Sequence, residues 1–145
     1  MLFELIATLC AGLFAGAAIY ITLVEHPARL EFGTELAATE FGPSYRRATL
    51  MQASLAAVGL ASAIVAWIQG RGPIVLVGGL LLGTVIPFTL LVILPTNKRL
   101  LDPGLDRRSA EAAALLERWG RLHAVRSVLS AVAFGLLVWH LATQV

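Results

Sequence analysis

Three polar side chains near the end of the 145-residue chain, Trp119, His123 and Arg126, have the spacing of one helical face. Intervals of four and three positions place residues on the same side of an α-helix. A neutral imidazole can accept a proton near pH 7, and a guanidinium can bind an anionic or carbonyl oxygen. An indole can stack on a flat apolar molecule. The three could therefore bind such a molecule and deprotonate it, although Arg126 could equally extend to lipid headgroups.

Other polar residues lie beside the apolar stretches, at the ends that would share one side of a bundle. His26 follows the first stretch, Asn97 follows the third, and Tyr45 precedes the second. If the stretches pack side by side, these side chains meet His123 at one mouth of the bundle, where ligand sites recur. We expect catalytic roles for His26, His123, Arg126 and Asn97, and substrate-binding roles for Trp119, Tyr45, Arg47 and Gln52.

The two histidines do not decide whether the site holds a metal ion. The chain has no HxxxH, ExxH or CxxC spacing of the kind that metal sites often show. A metal ion bound by His26 and His123, a metal-free polar site and purely structural roles all remain as hypotheses. His140 lies at the far end of the last apolar stretch, and we expect it to take no part in this site.

The composition indicates a membrane protein. Hydrophobic residues make up 58% of the chain and charged residues 14%, and the mean hydropathy is +0.82. A soluble domain carries about 25% charged residues. The composition excludes a disordered chain, and a net charge of only +2 argues against a nucleic-acid partner. The single cysteine excludes an internal disulfide.

Four apolar stretches approach the roughly 20 residues that a helix needs to cross a bilayer. They cover about Phe3–Val24, Ala48–Ile68, Pro73–Leu94 and Leu122–Thr143. We therefore predict an all-α polytopic membrane protein: a single four-transmembrane-helix domain over residues 1–145, with short cytoplasmic helices in the two long loops.

Positive charge predicts the orientation. Nine of the 11 Lys and Arg residues lie in the two long loops, whereas Arg71 alone lies in the short turn between the second and third stretches. The positive-inside rule then places both long loops in the cytoplasm and both termini outside.

Capping and helix-breaking residues refine the loops. A short helix is predicted from Thr34 to Phe41 and is expected to stop at Gly42 and Pro43. Ser109 is a predicted N-cap, and one long helix should run from it through the last stretch. Pro87 should kink the third stretch.

Two GxxxG motifs, Gly12/Gly16 and Gly79/Gly83, favour close helix packing. The packing could be within one bundle or between copies in a homo-oligomer.

An ordered set of segments resembles the anthrone oxygenase-like family. The resemblance covers nearly the whole chain and is most specific in Pro95-Thr96-Asn97 and in the stretch from Trp119 to Arg126. It implies a small four-helix integral membrane protein whose characterised fungal relatives oxidise anthrones to anthraquinones with molecular oxygen. The polar motif positions of the family would correspond to His26, Asn97, Trp119, His123 and Arg126.

We expect an integral membrane oxygenase or oxidoreductase whose partners are the bilayer, molecular oxygen and a small lipophilic, aromatic or quinone-like substrate. The alternative is a non-enzymatic membrane protein for binding, assembly or transport. A closed pocket lined by His123, Arg126 and Asn97 would favour the enzyme, and a fully packed mouth would favour the alternative.

Overall fold

The computed structural model describes residues 1–144, and these residues form four long helices. We name them α1 (Leu2–Glu31), α2 (Thr34–Ile68), α3 (Pro73–Leu100) and α4 (Ala110–Ala142). All four are long and apolar enough to cross a membrane, and residues 1–144 contain no strand. The predicted all-α bundle of four transmembrane helices is confirmed.

The four helices form a ring in which α1 and α3 each pack against both α2 and α4. We call the end of the ring that contains Arg29, Asn97 and Trp119 the site end. Small residues allow the helices to approach closely in the other half, where a Cβ added to Gly79 would lie 2.1 Å from the Cβ of Ala63.

The glycines of the GxxxG motifs serve mainly this packing within one chain. A Cβ added to Gly12 would clash with Phe134, and one added to Gly83 would clash with Leu60. Gly16 has no such neighbour. Association of copies through these motifs stays a prediction.

Two helices contain a wider π-helical turn close to the site end. The first is Ile21–Glu25 in α1, between the α-helical segments Leu2–Tyr20 and His26–Glu31. The second is Thr89–Ile93 in α3, just after Pro87. Such turns change which way the following side chains face, and they occur frequently at functional sites.

The predicted short helix that stops at Gly42 and Pro43 is wrong. Helix α2 runs without interruption from Thr34 through Pro43 to Ile68. A proline clashes with the Cβ of the preceding residue in a helix, and Gly42 has none. The other helices also extend past the apolar stretches, so the extensions replace the separate short helices that we expected.

The predicted start of α4 is confirmed. The Ser109 hydroxyl accepts a hydrogen bond from the backbone N–H of Ala112 at 3.1 Å. From this cap the helix continues in one piece from Ala110 to Ala142.

A buried carboxylate joins the helices at the end opposite the site. Glu4 is 2% exposed, and its Oε1 lies 3.0 Å from Nε2 of the equally buried His140. The other oxygen lies 2.6 Å from the terminal amine of Met1 and 3.5 Å from Nε of Arg71. This cluster connects α1, α4 and the α2–α3 turn, and it gives His140 a structural partner far from the site.

Replacement of this carboxylate should destabilise the bundle. We expect Glu4→Leu to lower the free energy of unfolding by about 3 kcal/mol. This value is at the lower end of the range for a broken buried ion pair, because the cations of Arg71 and Met1 are partly exposed and can be solvated by water. Reversible unfolding in mixed micelles would measure it. Glu4→Leu/His140→Leu should recover part of the loss, and Glu31→Leu, at an exposed position of α1, should have little effect. Equal stability of the Glu4 and Glu31 variants would contradict this account.

Candidate functional site

A small cavity lies inside the ring at the site end. Its volume is about 20 Å³, slightly more than the roughly 10–15 Å³ that one water molecule requires. Its walls include Tyr45, Gln52, Trp119, His123 and Arg126. We call it the central cavity, and it brings together five of the eight predicted site residues.

His123 is held by a hydroxyl from the π-helical turn of α1. Oγ1 of Thr22 lies 3.0 Å from Nδ1 of His123 and 2.8 Å from Oγ of Ser127. Ser127 is also 3.4 Å from the carbonyl oxygen of His123, to which its hydroxyl can donate. Residues of α1 and α4 therefore fix the imidazole jointly.

The Trp119 indole contacts both predicted histidines. Its ring centroid is 4.7 Å from that of His123 and 5.1 Å from that of His26. Phe41 meets the same indole edge-on at 5.3 Å. Gly120 allows His26 to approach, because a Cβ at this position would lie 2.6 Å from Nε2 of His26.

The two histidines do not suit a metal ion. A tetrahedral protein site normally supplies at least three ligands. Across residues 1–144, no group of three or more His, Cys, Asp and Glu side chains is arranged to bind a metal. The side chains that contact the two imidazoles include the Trp119 indole and the Thr22 hydroxyl, and neither is a strong metal ligand.

Arg126 and Gln52 form a buried pair between α4 and α2. The guanidinium donates to Oε1 of Gln52 at 2.7 Å, and it lies over the Phe14 ring at 5.3 Å. Two donors of this pair, Nε of Arg126 and Nε2 of Gln52, are buried without an acceptor. A buried donor without an acceptor costs free energy, so this place in the fold favours an incoming oxygen atom.

A second, larger cavity of about 120 Å³ adjoins the first. We call it the lateral chamber. Gln52, Arg126 and Tyr45 line both cavities, so the orphan donors lie at their junction. Most of the remaining wall is apolar and includes Phe14, Val85 and Ile86.

A salt-bridge network covers the central cavity at its outer side. Arg29 is 7% exposed and pairs with Glu25 one turn earlier in α1 and with Glu40 of α2, whose Oε2 is 2.9 Å from its Nε. Ser44 donates to the Glu25 carboxylate at 2.7 Å. The Arg29 guanidinium also lies 5.8 Å from the Trp119 ring centre. The Glu25 carboxylate thus binds one guanidinium and one hydroxyl.

Three predicted residues lie outside the central cavity. His26 is buried behind Trp119, and the fully buried Asn97 has an Oδ1 without a partner but lines neither cavity. Arg47 is exposed and lines a separate groove between α1 and α2. The structure therefore separates Arg47 from the other predicted substrate-binding residues.

Sequence reasoning missed several residues at this end of the bundle. Thr22 lies four positions before His26, and Ser127 lies four positions after His123. The four-residue interval was a signal that could have found Ser127. It was no guide to Thr22, because Thr22 contacts His123 on another helix and a π-helical turn separates it from His26. Phe14 gave no comparable signal, because it contacts Arg126 on another helix. Arg29 lies four positions after Glu25, but this interval does not reveal its contacts with Glu40 and Trp119.

Comparison with known proteins identifies one family. The family model described as anthrone oxygenase matches residues 41–136, well over half of the chain. No curated protein and no solved structure matches. The matched range contains Tyr45, Gln52, Trp119, His123 and Arg126, whereas Thr22 precedes it.

Proposed function

The chain belongs to the anthrone oxygenase family, and on that premise we propose that it oxidises a lipophilic aromatic ketone with molecular oxygen. The reacting carbon is a methylene made acidic by the carbonyl group, as in an anthrone. His123 is the base in this proposal, and Arg126 with Gln52 binds the carbonyl oxygen. Trp119 stacks on the His123 ring and positions the base.

The observation that carries this proposal is the pair of unpartnered donors beside His123. Loss of a proton from the methylene moves negative charge onto the carbonyl oxygen and produces an enolate. Donors already in place for that charge stabilise the transition state more than the ground state. Nε of Arg126 and Nε2 of Gln52 are two such donors, buried at the junction of the cavities.

The hydrogen bonds around His123 suit a base. With Ser127 donating to the His123 carbonyl, Thr22 donates to Ser127 and accepts from Nδ1–H of the imidazole. Nε2 then carries the lone pair that removes the substrate proton.

The reaction balances without a further reductant. The enolate carbon gives electrons to dioxygen and forms a C–O bond, and protonation yields a hydroperoxide. Loss of the second C–H proton with cleavage of the O–O bond releases water and leaves a carbonyl group. Overall, CH₂ and O₂ become C=O and H₂O, so oxygen is reduced by the four electrons that the carbon loses.

Anthrone is a suitable probe for a test in phospholipid nanodiscs. Without oxygen, the protein should accelerate exchange of the methylene protons with D₂O. With oxygen, it should consume one O₂ for each anthraquinone formed. Empty nanodiscs provide the background rate. If proton exchange and oxygen uptake both stay at that background, the proposed reaction is rejected. A protein that binds anthrone but catalyses neither process would be a binding module.

Thr22 should position His123 in this reaction. Thr22→Val keeps the shape of the side chain but removes the hydroxyl, so we expect turnover to fall about tenfold, the value of one hydrogen bond. Thr22→Ser should retain most activity. ¹⁵N NMR of the imidazole would show whether the valine variant loses the preference for the Nδ1–H tautomer. An unchanged tautomer and unchanged turnover in Thr22→Val would contradict the assignment.

A further inference from the structure

We propose that the lateral chamber is a binding site, open to the bilayer, for a lipophilic aromatic molecule that carries a carbonyl or phenolate oxygen. The inference rests on the proposed function for the reaction. It adds where the ligand binds, from which side it arrives and which chemistry selects it.

The chamber opens sideways, between α2 and α3. Its mouth is formed by Thr49, Ala53 and Leu90, which are exposed on the outer surface of the bundle, Leu90 by 57%. Ala53 and Leu90 lie inside the apolar stretches of their helices, a few residues from the ends. In a membrane the mouth therefore faces the acyl chains, and molecules dissolved there reach it without crossing water.

The inner end of the chamber has the opposite character. Gln52 is 2% exposed, and its Nε2 donor has no acceptor. Nε of Arg126 is a second buried donor without a partner. A lipid acyl chain has no oxygen that could accept a hydrogen bond from these donors. It can fill the chamber, but the desolvation penalty of the two donors remains. A carbonyl or phenolate oxygen on the edge of the ligand that faces these donors satisfies both.

The volume and the lining of the chamber favour an aromatic ring system that carries that oxygen. The chamber measures about 120 Å³, close to the cavity of about 150 Å³ that stays dry and binds benzene in another protein. It therefore holds roughly one ring, and the rest of a fused ring system lies in the mouth. Phe14 and Tyr45 present aromatic rings in the wall, which suits aromatic packing.

Anthraquinone is a probe that cannot react, because it has no methylene group. Binding can be followed through Trp119 fluorescence in nanodiscs, in a background in which the exposed Trp67 and Trp139 are replaced by phenylalanine. We expect saturable quenching. Ala53→Phe fills the mouth and should weaken binding at least tenfold. Ala61→Phe makes the same change at an exposed position two turns away on α2 and should bind as the background does.

The selecting oxygen is tested with anthracene, which has the same rings and no oxygen. Anthracene should bind several-fold more weakly than anthraquinone, and Gln52→Leu should reduce the difference. Equal binding of both probes, or equal affinity in the Ala53 and Ala61 variants, would overturn the proposal and leave a non-selective lipid crevice. Binding needs no proton transfer, so His123→Gln should still bind anthraquinone. Anthraquinone binding without anthrone oxidation would therefore reject the reaction alone.

Discussion

His123→Gln is expected to abolish most of the anthrone oxidation, with a fall in turnover of about 10²–10⁴-fold, the usual contribution of a positioned base. Glutamine has a similar length and can keep a hydrogen bond to Thr22, but its amide does not accept a proton near pH 7. Proton exchange without oxygen should fall by the same factor as oxygen uptake, because both require the same C–H bond to break. Parallel measurements of exchange and uptake in nanodiscs would check this.

His26→Gln is the matched comparison, because the sequence left both histidines as candidate bases. The ring of His26 packs on Gly120 and the indole of Trp119, and His26 does not line the central cavity. We expect a smaller loss of turnover from His26→Gln than from His123→Gln. The reverse order would move the base to His26 and contradict the assignment.

The fold could be predicted because bilayer thickness sets the length of an apolar stretch. Four such stretches determined the number of helices, and the cap at Ser109 located the start of α4. The interruption expected at Pro43 failed for a local reason. A proline disfavours a helix partly because its ring clashes with the Cβ of the preceding residue. Gly42 has no Cβ, so this clash is absent at Pro43.

The candidate site was only partly predictable. Trp119, His123 and Arg126 follow an unbroken α-helical spacing in α4, and all three line the central cavity. In α1 the π-helical turn at Ile21–Glu25 breaks the regular spacing, so the direction of Thr22 could not be derived from a 3.6-residue period. Arg47 was assigned to the site because it lies with Tyr45 and Gln52 at the start of the second apolar stretch. Along the continuous helix α2, Tyr45 and Gln52 are seven positions apart and share a face that excludes Arg47.

The pairing of Arg126 with Gln52 was beyond sequence reasoning, because 74 positions separate them. Each residue alone is compatible with a simple structural role. Arg126 could snorkel to headgroups, and Gln52 could bind a backbone carbonyl. Only their contact shows that the guanidinium points inward and that two donors remain without an acceptor.

Arg126→Met should lower turnover of anthrone by about 10²–10³-fold, as removal of a donor to a developing oxyanion does. Methionine fills a similar volume without a donor or a charge. The loss should appear mainly in kcat, because the guanidinium meets more negative charge in the enolate than in the neutral ketone. Steady-state oxygen uptake as a function of anthrone per lipid separates kcat from KM.

Two further variants divide the role of Arg126 into its parts. Arg126→Lys keeps the positive charge but lacks the fixed Nε–H, so its turnover should fall between wild type and Arg126→Met. Arg118→Met makes the matched change at an exposed position of the same helix and should leave turnover unchanged. A rise in KM without a change in kcat in Arg126→Met would mean that the guanidinium binds substrate and transition state equally. The two unpartnered donors would then contribute to substrate binding, and other groups would have to stabilise the enolate.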